Sequence, residues 1–247
     1  MELGYNQYRE FIGSIVAKQQ LDSFKRNTTY NEILEHVSRE QGQVYYDLCK
    51  EEFQLADNDI LSFATLNDSL GDPVKENYIF GSVSPSSLRY VYHSHTILKY
   101  LQFLDKKQYS IVEIGGGYGG LAIAVSHYSS KFGITINEYN ICDLDVVIKL
   151  QEMYIKQICK DTNIYKFHDA STYGTTIESE NLFLISCYAF SEINMIHQQR
   201  YLNFLFPKIT SGFIIWNTNY YDFGRKTYIQ EERPQTHPDK INKFVYF

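Results

Sequence analysis

The chain has 247 residues, long enough for one α/β domain with an extension, and its hydrophobic (44%) and charged (21%) fractions are ordinary for a globular protein. Its formal charge is −6 and no run of basic residues exceeds two, which disfavours a nucleic-acid partner because such a partner requires a positive surface. The four cysteines form no CxxC pair, no apolar run is long enough for a membrane span, and the N-terminus lacks a signal-like segment. We therefore expect a cytoplasmic protein without disulfides or a membrane partner.

The first part of the chain, residues 1–83, is predicted to be a helical extension. Apolar residues at positions 8, 11, 12, 15 and 16 have helical spacing, and Thr28 or Thr29 is a candidate N-cap for the next helix. Residues 56–84 are rich in Asp, Asn, Ser and Gly, which predicts a loop region. An extension of this size could form a homodimer interface or cover a substrate.

The remaining residues, 84–247, are predicted to form the main domain. Ser84 as N-cap and Pro85 at the first helical position predict a long helix, after which strands and helices alternate from YSIVEI to a last strand in INKFVYF. This alternation predicts a mostly parallel sheet with helices on both faces. The third and fourth strands are close in sequence, so one covering helix is expected to be missing. EERPQTHPDK predicts either an abbreviated final hairpin or a domain of a longer protein.

The stretch IVEIGGGYGG combines a strand, a glycine turn and a helix start, an arrangement that binds nucleotide-like cofactors. Gly115 and Gly117 permit a tight turn and a close ligand, and with Gly120 they also satisfy the GxGxxG spacing of dinucleotide sites. Glu113, however, suits an ammonium better than a pyrophosphate, and Asp143 follows Gly115 by 28 positions, where the dinucleotide pattern expects about 20. An ammonium at one end and a ribose at the other favour S-adenosylmethionine.

The E-x-G-x-G motif, followed by an Asp at the end of the second strand, resembles class I S-adenosylmethionine-dependent methyltransferases over roughly residues 84–218. The segments SPSSLRYVYHSHTIL, YNICDLDVVIKLQEMYI and LISCYAFSEI resemble the sugar O-methyltransferase family more narrowly. This resemblance implies a Rossmann-like methyltransferase sheet and a sugar or glycan acceptor. A looser similarity to chlorovirus glycan-building proteins implies rhamnose as the sugar, a viral protein in the host cytoplasm, and one domain of a longer chain.

The resemblance also implies which residues hold the cofactor. It implies that Glu113 and the glycine turn bind the methionine end of the cofactor and that Asp143 binds the ribose. It also implies that Leu144 and Asp169 contact the adenine, and that residues 186–188 pass beneath the sulfonium. Asp169 has a simpler alternative, a helix cap or Asx turn. The complete set assigned to the cofactor is Arg89, Glu113, Gly115, Gly117, Tyr118, Asp143, Leu144, Asp169, Ala170, Ser186 and Tyr188.

Methyl transfer to a sugar hydroxyl requires a positioned base, because the hydroxyl is a poor acid. The candidates are His93, Glu192, His197 and Asp222, all expected near the carboxyl ends of strands. Each has a structural alternative: a polar helix residue for a histidine, a first-turn acid for Glu192, and a turn residue for Asp222. The loops after the fourth and fifth strands lack adjacent acids, which predicts a reaction without a metal.

Three other functions stay open. The literal GxGxxG fits an NAD-dependent oxidoreductase, although Glu113 counts against it. A binding module could keep a degenerate methyltransferase fold, although the intact acid–glycine–acid set argues against decay. A methyltransferase acting on a phenolic or lipid hydroxyl would share every cofactor residue.

Overall fold

The computed structural model describes residues 2–218, 222–236 and 242–247. Before the main sheet the chain forms helices and one small hairpin, as the predicted extension requires. These elements are α1 (Glu2–Lys18), α2 (Thr28–Ile33), α3 (Arg39–Phe53), α4 (Asp57–Asn67), β1 (Glu76–Tyr78) and β2 (Gly81–Val83).

Two local predictions for this extension are wrong. The helix α2 is capped by Asn27, whose side chain accepts a hydrogen bond from the Tyr30 backbone N–H at 3.3 Å, and not by a threonine. Residues 56–84 are not a loop region, because they contain α4 and the β1–β2 hairpin. Ile60 and Phe63 are fully buried on one face of α4, so tertiary packing overrides the polar composition of this segment.

A seven-stranded sheet forms the centre of the main domain. Its strands are β3 (Gln108–Ile114), β4 (Thr135–Asp143), β5 (Tyr165–Asp169), β6 (Leu182–Cys187), β7 (Ile209–Trp216), β8 (Tyr228–Glu231) and β9 (Lys243–Tyr246). The spatial order is β5-β4-β3-β6-β7-β9-β8, in which the first five strands are parallel and β9 runs antiparallel between β7 and β8. The strand order reverses between β3 and β6, the point where open α/β sheets bind ligands. The predicted fold class is confirmed.

Helices cover the sheet on both faces. They are α5 (Pro85–Phe103), α6 (Gly120–Ser129), α7 (Asp145–Ile158), α8 (Ala189–Glu192) and α9 (Met195–Phe204). The predicted start of α5 is confirmed, because the Ser84 side chain accepts a hydrogen bond from the Ser87 backbone N–H and Pro85 is the first helical residue. The short connection from β5 to β6 holds only a 3-10 turn (Ala170–Thr172), so the predicted loss of one covering helix is also confirmed.

The extension shares a hydrophobic core with the main domain. The ring of Phe24 packs edge-on against Tyr118 and Tyr154, at centroid distances of 5.8 and 6.0 Å. Between them Lys25 is fully buried, with Nζ 4.2 Å from the centre of the Tyr118 ring and donating to the backbone oxygen of Asn67 at 2.7 Å. Burial lowers the pKa of Lys25 to about 8. The extension is therefore fixed directly to the segment that contains the glycine turn.

Candidate cofactor and acceptor site

The glycine turn follows β3 and is closely packed. Gly115 and Gly117 have positive φ angles of 76° and 56°, which strongly favour glycine. A Cβ at Gly115 would lie 2.1 Å from the Cβ of Ala189 at the start of α8, so a side chain has no room there. A Cβ at Gly117 would lie 3.5 Å from the side chain of Leu34, which places the end of α2 directly over the turn. The turn is thus bounded by α8 on one side and by the extension on another.

Glu113 lies at the end of β3 and is only 1% exposed. Its carboxylate accepts a hydrogen bond from the Tyr139 hydroxyl at 2.9 Å. Burial raises the pKa of Glu113 to about 8, and the nearby Asp143 adds to that rise. Among the described residues no basic side chain forms an ion pair with it. A buried carboxylate without a cation is suited to an ammonium brought by a ligand.

Asp143 ends the neighbouring strand β4, at the same edge of the sheet. Its carboxylate accepts hydrogen bonds from the Leu144 backbone N–H at 2.8 Å and from the Gln151 side-chain amide at 2.9 Å. Gln151 also donates to the backbone oxygen of Gly117 at 2.9 Å, and so links the second acid to the glycine turn. Burial raises the pKa of Asp143 to about 6 although these hydrogen bonds oppose the shift. Sequence reasoning noticed Gln151 within a motif and gave it no such role.

The residues assigned to the adenine and the sulfonium lie on the next strand ends. Leu144 and Ala170 are half-buried at the ends of β4 and β5. The carboxylate of Asp169 accepts from the Ser171 backbone N–H at 2.8 Å, which is the Asx-turn alternative, and this bond lowers its pKa. Ser186 is fully buried and donates to the backbone oxygen of Ile114 at 2.8 Å, so its hydroxyl joins β6 to β3.

Arg89 reaches this edge of the sheet from α5. It is buried and donates to the backbone oxygen of Leu34 at 2.8 Å, while its guanidinium lies 5.9 Å from the centre of the Tyr188 ring. Burial alone would lower the pKa of Arg89, but its tyrosine neighbours and Glu35 raise it. Within the described part of the chain no carboxylate forms an ion pair with Arg89. Its fork of donors is therefore suited to an incoming carboxylate.

The side chain of Tyr118 points elsewhere. Its ring packs against Phe24 and Tyr154, and its hydroxyl accepts a hydrogen bond from the Asn67 side chain at 2.8 Å. Only its backbone lies in the glycine turn. The side chain connects the turn to the extension.

A second buried group, which we call the Glu232 cluster, consists of His93, Tyr188, Glu232 and Asn242. Tyr188, in a left-handed conformation (φ 68°) just after β6, donates a short hydrogen bond to one Glu232 oxygen. The Asn242 side chain donates to the other oxygen at 2.8 Å. His93 Nε2 lies 3.8 Å from Glu232 and has no hydrogen-bond partner among the described residues. Burial raises the pKa of Glu232, whereas burial and the charge of Arg89 lower that of His93, so the two do not form an ion pair.

Sequence reasoning missed Glu232 and Asn242. Glu232 stands in EERPQTHPDK, a segment that predicts an abbreviated final hairpin or a domain of a longer protein and no functional residue, and it reaches His93 because the last strand returns between β7 and β8. The only sequence signal was a pair of acids next to a short strand, which is too common to identify a buried site.

The other predicted bases lie outside this cluster. Glu192 is half-buried and accepts from the Asn217 side chain. His197 is exposed, with Nδ1 2.8 Å from the Tyr173 hydroxyl. Asp222 is exposed and accepts from the Gly224 backbone N–H at 2.8 Å, which is its turn alternative. Of the four candidates, the structure brings only His93 to the cluster beside Tyr188.

The described residues contain no group of three or more His, Cys, Asp or Glu side chains arranged to hold a metal ion. None of their helices is long and apolar enough to cross a membrane. The predicted independence from metal stays a prediction.

Comparisons with known proteins find similarity in fold. No known protein family and no curated protein matches the sequence. TrmK of M. capricolum in complex with S-adenosyl-homocysteine is 14% identical with a TM-score of 0.44, covering 61% of this chain and 66% of its own, just under two thirds. Magnesium protoporphyrin IX methyltransferase of Synechocystis PCC 6803 with bound SAM is 8% identical, TM-score 0.47, covering 85% and 97%. A SAM dependent methyltransferase from Aquifex aeolicus is 10% identical, TM-score 0.48, covering 78% and 97%.

Proposed function

We propose that the chain is an S-adenosylmethionine-dependent methyltransferase. The observation that supports this most strongly is the pair of acids, the buried Glu113 and the half-buried Asp143, at the ends of adjacent parallel strands beside the glycine turn. Glu113 is suited to an ammonium and Asp143 to ribose hydroxyls. A dinucleotide is less suitable, because its pyrophosphate would lie against a buried carboxyl.

The amino-acid end of this cofactor carries two opposite charges, and the chain offers a partner for each. The ammonium finds Glu113, and the carboxylate finds Arg89, whose guanidinium has no acidic partner among the described residues. The ammonium would favour the charged form of Glu113, whose pKa burial raises to about 8 in the ligand-free protein, and Arg89 would gain an anionic partner. Pairing buried charges in this way makes binding more favourable than the hydrogen bonds alone would.

The acceptor in this proposal is a sugar hydroxyl, on the strength of the motif resemblance and of the Glu232 cluster beside the cofactor residues. When bound, S-adenosylmethionine supplies a methyl carbon activated by a sulfonium. The chain must align the hydroxyl and take its proton. The hydroxyl oxygen would bond to the methyl carbon as the carbon–sulfur bond breaks and leaves a neutral thioether; the hydroxyl proton would pass to the Tyr188 hydroxyl, and the proton of Tyr188 to the Glu232 carboxylate. Glu232 ends neutral and Tyr188 is restored.

Glu232 is the better base of the cluster for a physical reason. Burial raises its pKa, which makes its carboxylate more basic than an exposed glutamate. His93 is the opposite case, because burial lowers its pKa and makes its imidazole a weaker base. In this mechanism His93 packs beside Glu232 and does not accept the proton.

Calorimetric titration with S-adenosylmethionine, S-adenosylhomocysteine and NAD tests the cofactor, with Glu113→Gln and Asp143→Asn as variants. We expect binding of the first two ligands and weaker binding in both variants. A mass-spectrometric screen of glycosides and simple phenols for a gain of one methyl group then tests the acceptor. Binding of NAD alone would refute the proposal, and methylation of phenols alone would refute the sugar.

A further inference from the structure

A groove of about 1180 Å³ runs along the outside of α5, between this helix and the β8–β9 hairpin. The groove follows α5 from Tyr92 to Phe103, a length of about 17 Å at the helical rise of 1.5 Å per residue. Most of its lining residues come from α5 and from the segment that contains β8 and β9. One wall is therefore helix and the other is an edge hairpin.

Aromatic rings line much of this groove. Tyr100 and Phe103 on α5 are nearly parallel, with 16° between their planes and centroids 6.3 Å apart. Tyr228 and Tyr246 pair across β8 and β9 with centroids 6.1 Å apart. Phe103 is 79% exposed and Tyr228 is 62% exposed, so these two rings offer open faces to a ligand. Open aromatic faces stack on the C–H faces of sugar rings.

The polar side chains of the groove are mixed in sign. Lys99, Lys226, Gln230 and Glu231 supply hydrogen-bond donors and acceptors along its length. At its upper end Glu52 is bridged by Arg233 at 3.4 Å. A polyanion would be repelled by the glutamates. A purely apolar partner would bury the charged lysines without a hydrogen-bond partner, which is unfavourable. This mixture is complementary to a neutral ligand with many hydroxyls.

The upper end of the groove adjoins the Glu232 cluster. Tyr92 and Arg233, which line the groove, are next in sequence to His93 and Glu232. Phe244 lines the groove too, and its ring contacts His93 edge-on with centroids 6.1 Å apart. A chain lying in the groove would thus end at Phe244, which stands between the groove and the buried His93 side chain.

We propose that this groove is a binding site for an oligosaccharide, whose terminal sugar lies at the Phe244 end, next to the Glu232 cluster, while the preceding sugars stack on Phe103, Tyr228 and Tyr246. The inference rests on the proposed function for the role of the terminal sugar. The binding site itself can be tested without any methyl transfer.

The first test is retention of the protein on a printed panel of neutral oligosaccharides. The groove variant is Phe103→Ala with Tyr228→Ser, two exposed positions whose replacement should leave folding intact. The control is Phe204→Ala, an aromatic residue on α9 that is 49% exposed and outside the groove. We expect at least one oligosaccharide to retain the wild-type and control proteins and to lose the groove variant, with unchanged thermal unfolding. No retention on the panel, or equal retention of the variant, would overturn the proposal.

The second test separates this inference from the proposed function. With an oligosaccharide acceptor found above, the groove variant should show KM raised about tenfold with kcat little changed, whereas the methyl glycoside of its terminal sugar should show no difference. Oligosaccharide retention without any methyl transfer would refute the proposed function and leave the groove supported. Concentration-dependent dimerisation abolished by the groove variant would instead show that a second copy covers this surface, which would overturn the groove proposal.

Discussion

The cofactor residues and the Glu232 cluster are built in opposite ways. Glu113, Gly115 and Gly117 stand within five positions, and Asp143 ends the very next strand. The cluster takes His93 from α5, Tyr188 from the end of β6 and Glu232 from the last hairpin. A local motif determines the first site, whereas sheet topology determines the second. The residues assigned to the cofactor can therefore be found from a local sequence pattern, whereas the proposed base becomes visible only in the folded chain.

The largest expected effect comes from Glu232→Gln, which removes the proposed base and leaves the residues assigned to the cofactor unchanged. We expect methyl transfer to fall roughly 10²- to 10⁴-fold, the usual contribution of a positioned base. The affinity for S-adenosylmethionine should stay within about twofold, because Glu232 itself is not among the residues assigned to the cofactor. Single-turnover kinetics and calorimetry measure the two quantities. If Glu232→Gln lost affinity for S-adenosylmethionine and kept the single-turnover rate of methyl transfer, Glu232 would belong to the cofactor site and would not be the base.

Glu113→Gln tests the residues assigned to the cofactor. We expect the affinity for S-adenosylmethionine to fall about 10- to 100-fold, because a charged hydrogen bond to the ammonium becomes a neutral one. The transfer rate at saturating cofactor should change much less. His197→Gln, at an exposed position, serves as the control and should bind as the wild type does. If Glu113→Gln bound S-adenosylmethionine with unaltered affinity, the prediction that Glu113 binds the ammonium would be wrong.

The raised pKa of Glu113 predicts how the stability of the ligand-free protein depends on pH. Its folded pKa of about 8 lies above the unfolded value near 4.5, so its contribution to stability is complete below pH 4.5 and is lost as the pH rises toward 8. We expect the free energy of unfolding of the ligand-free protein to fall in this window with a slope of up to about 1.4 kcal/mol per pH unit. Urea unfolding at several pH values measures it. The slope should be smaller in Glu113→Gln, and an equal slope would contradict the assignment.

The smallest effect is expected at Lys25, which joins the extension to the glycine turn. Its folded pKa of about 8 is below the unfolded 10.5, so wild-type stability should rise as the pH increases from 8 to 10. Lys25→Met should abolish that part of the rise and change stability at pH 7 by about 1 kcal/mol or less, because a costly buried charge is lost together with its contacts. Chemical unfolding at pH 7 and pH 10 compares the two proteins. A large loss of stability in the variant would show that the lysine contacts outweigh its burial cost.

Much of the fold could be predicted from local signals. The strands YSIVEI and NLFLISC, the Ser84–Pro85 helix start and the glycine turn each depend on short-range preferences, and each is found. The helix α4 was missed because its polar residues suggest a loop, while burial of Ile60 and Phe63 decides the outcome. The cluster was missed because Glu232 and His93 are separated by 139 positions and meet only through the return of β9 between β7 and β8. A local sequence pattern does not predict that two residues so far apart in sequence are close in space.

The hydrogen bond from Arg89 to the backbone oxygen of Leu34 joins the extension to the proposed cofactor site. This bond uses one N–H of a guanidinium that has five, so a carboxylate arriving at Arg89 can bind other donors while the bond to Leu34 stays in place. Leu34 also stands over Gly117. One buried side chain would therefore bind both the end of α2 and the ligand, so that binding of the ligand would also stabilise the position of the extension.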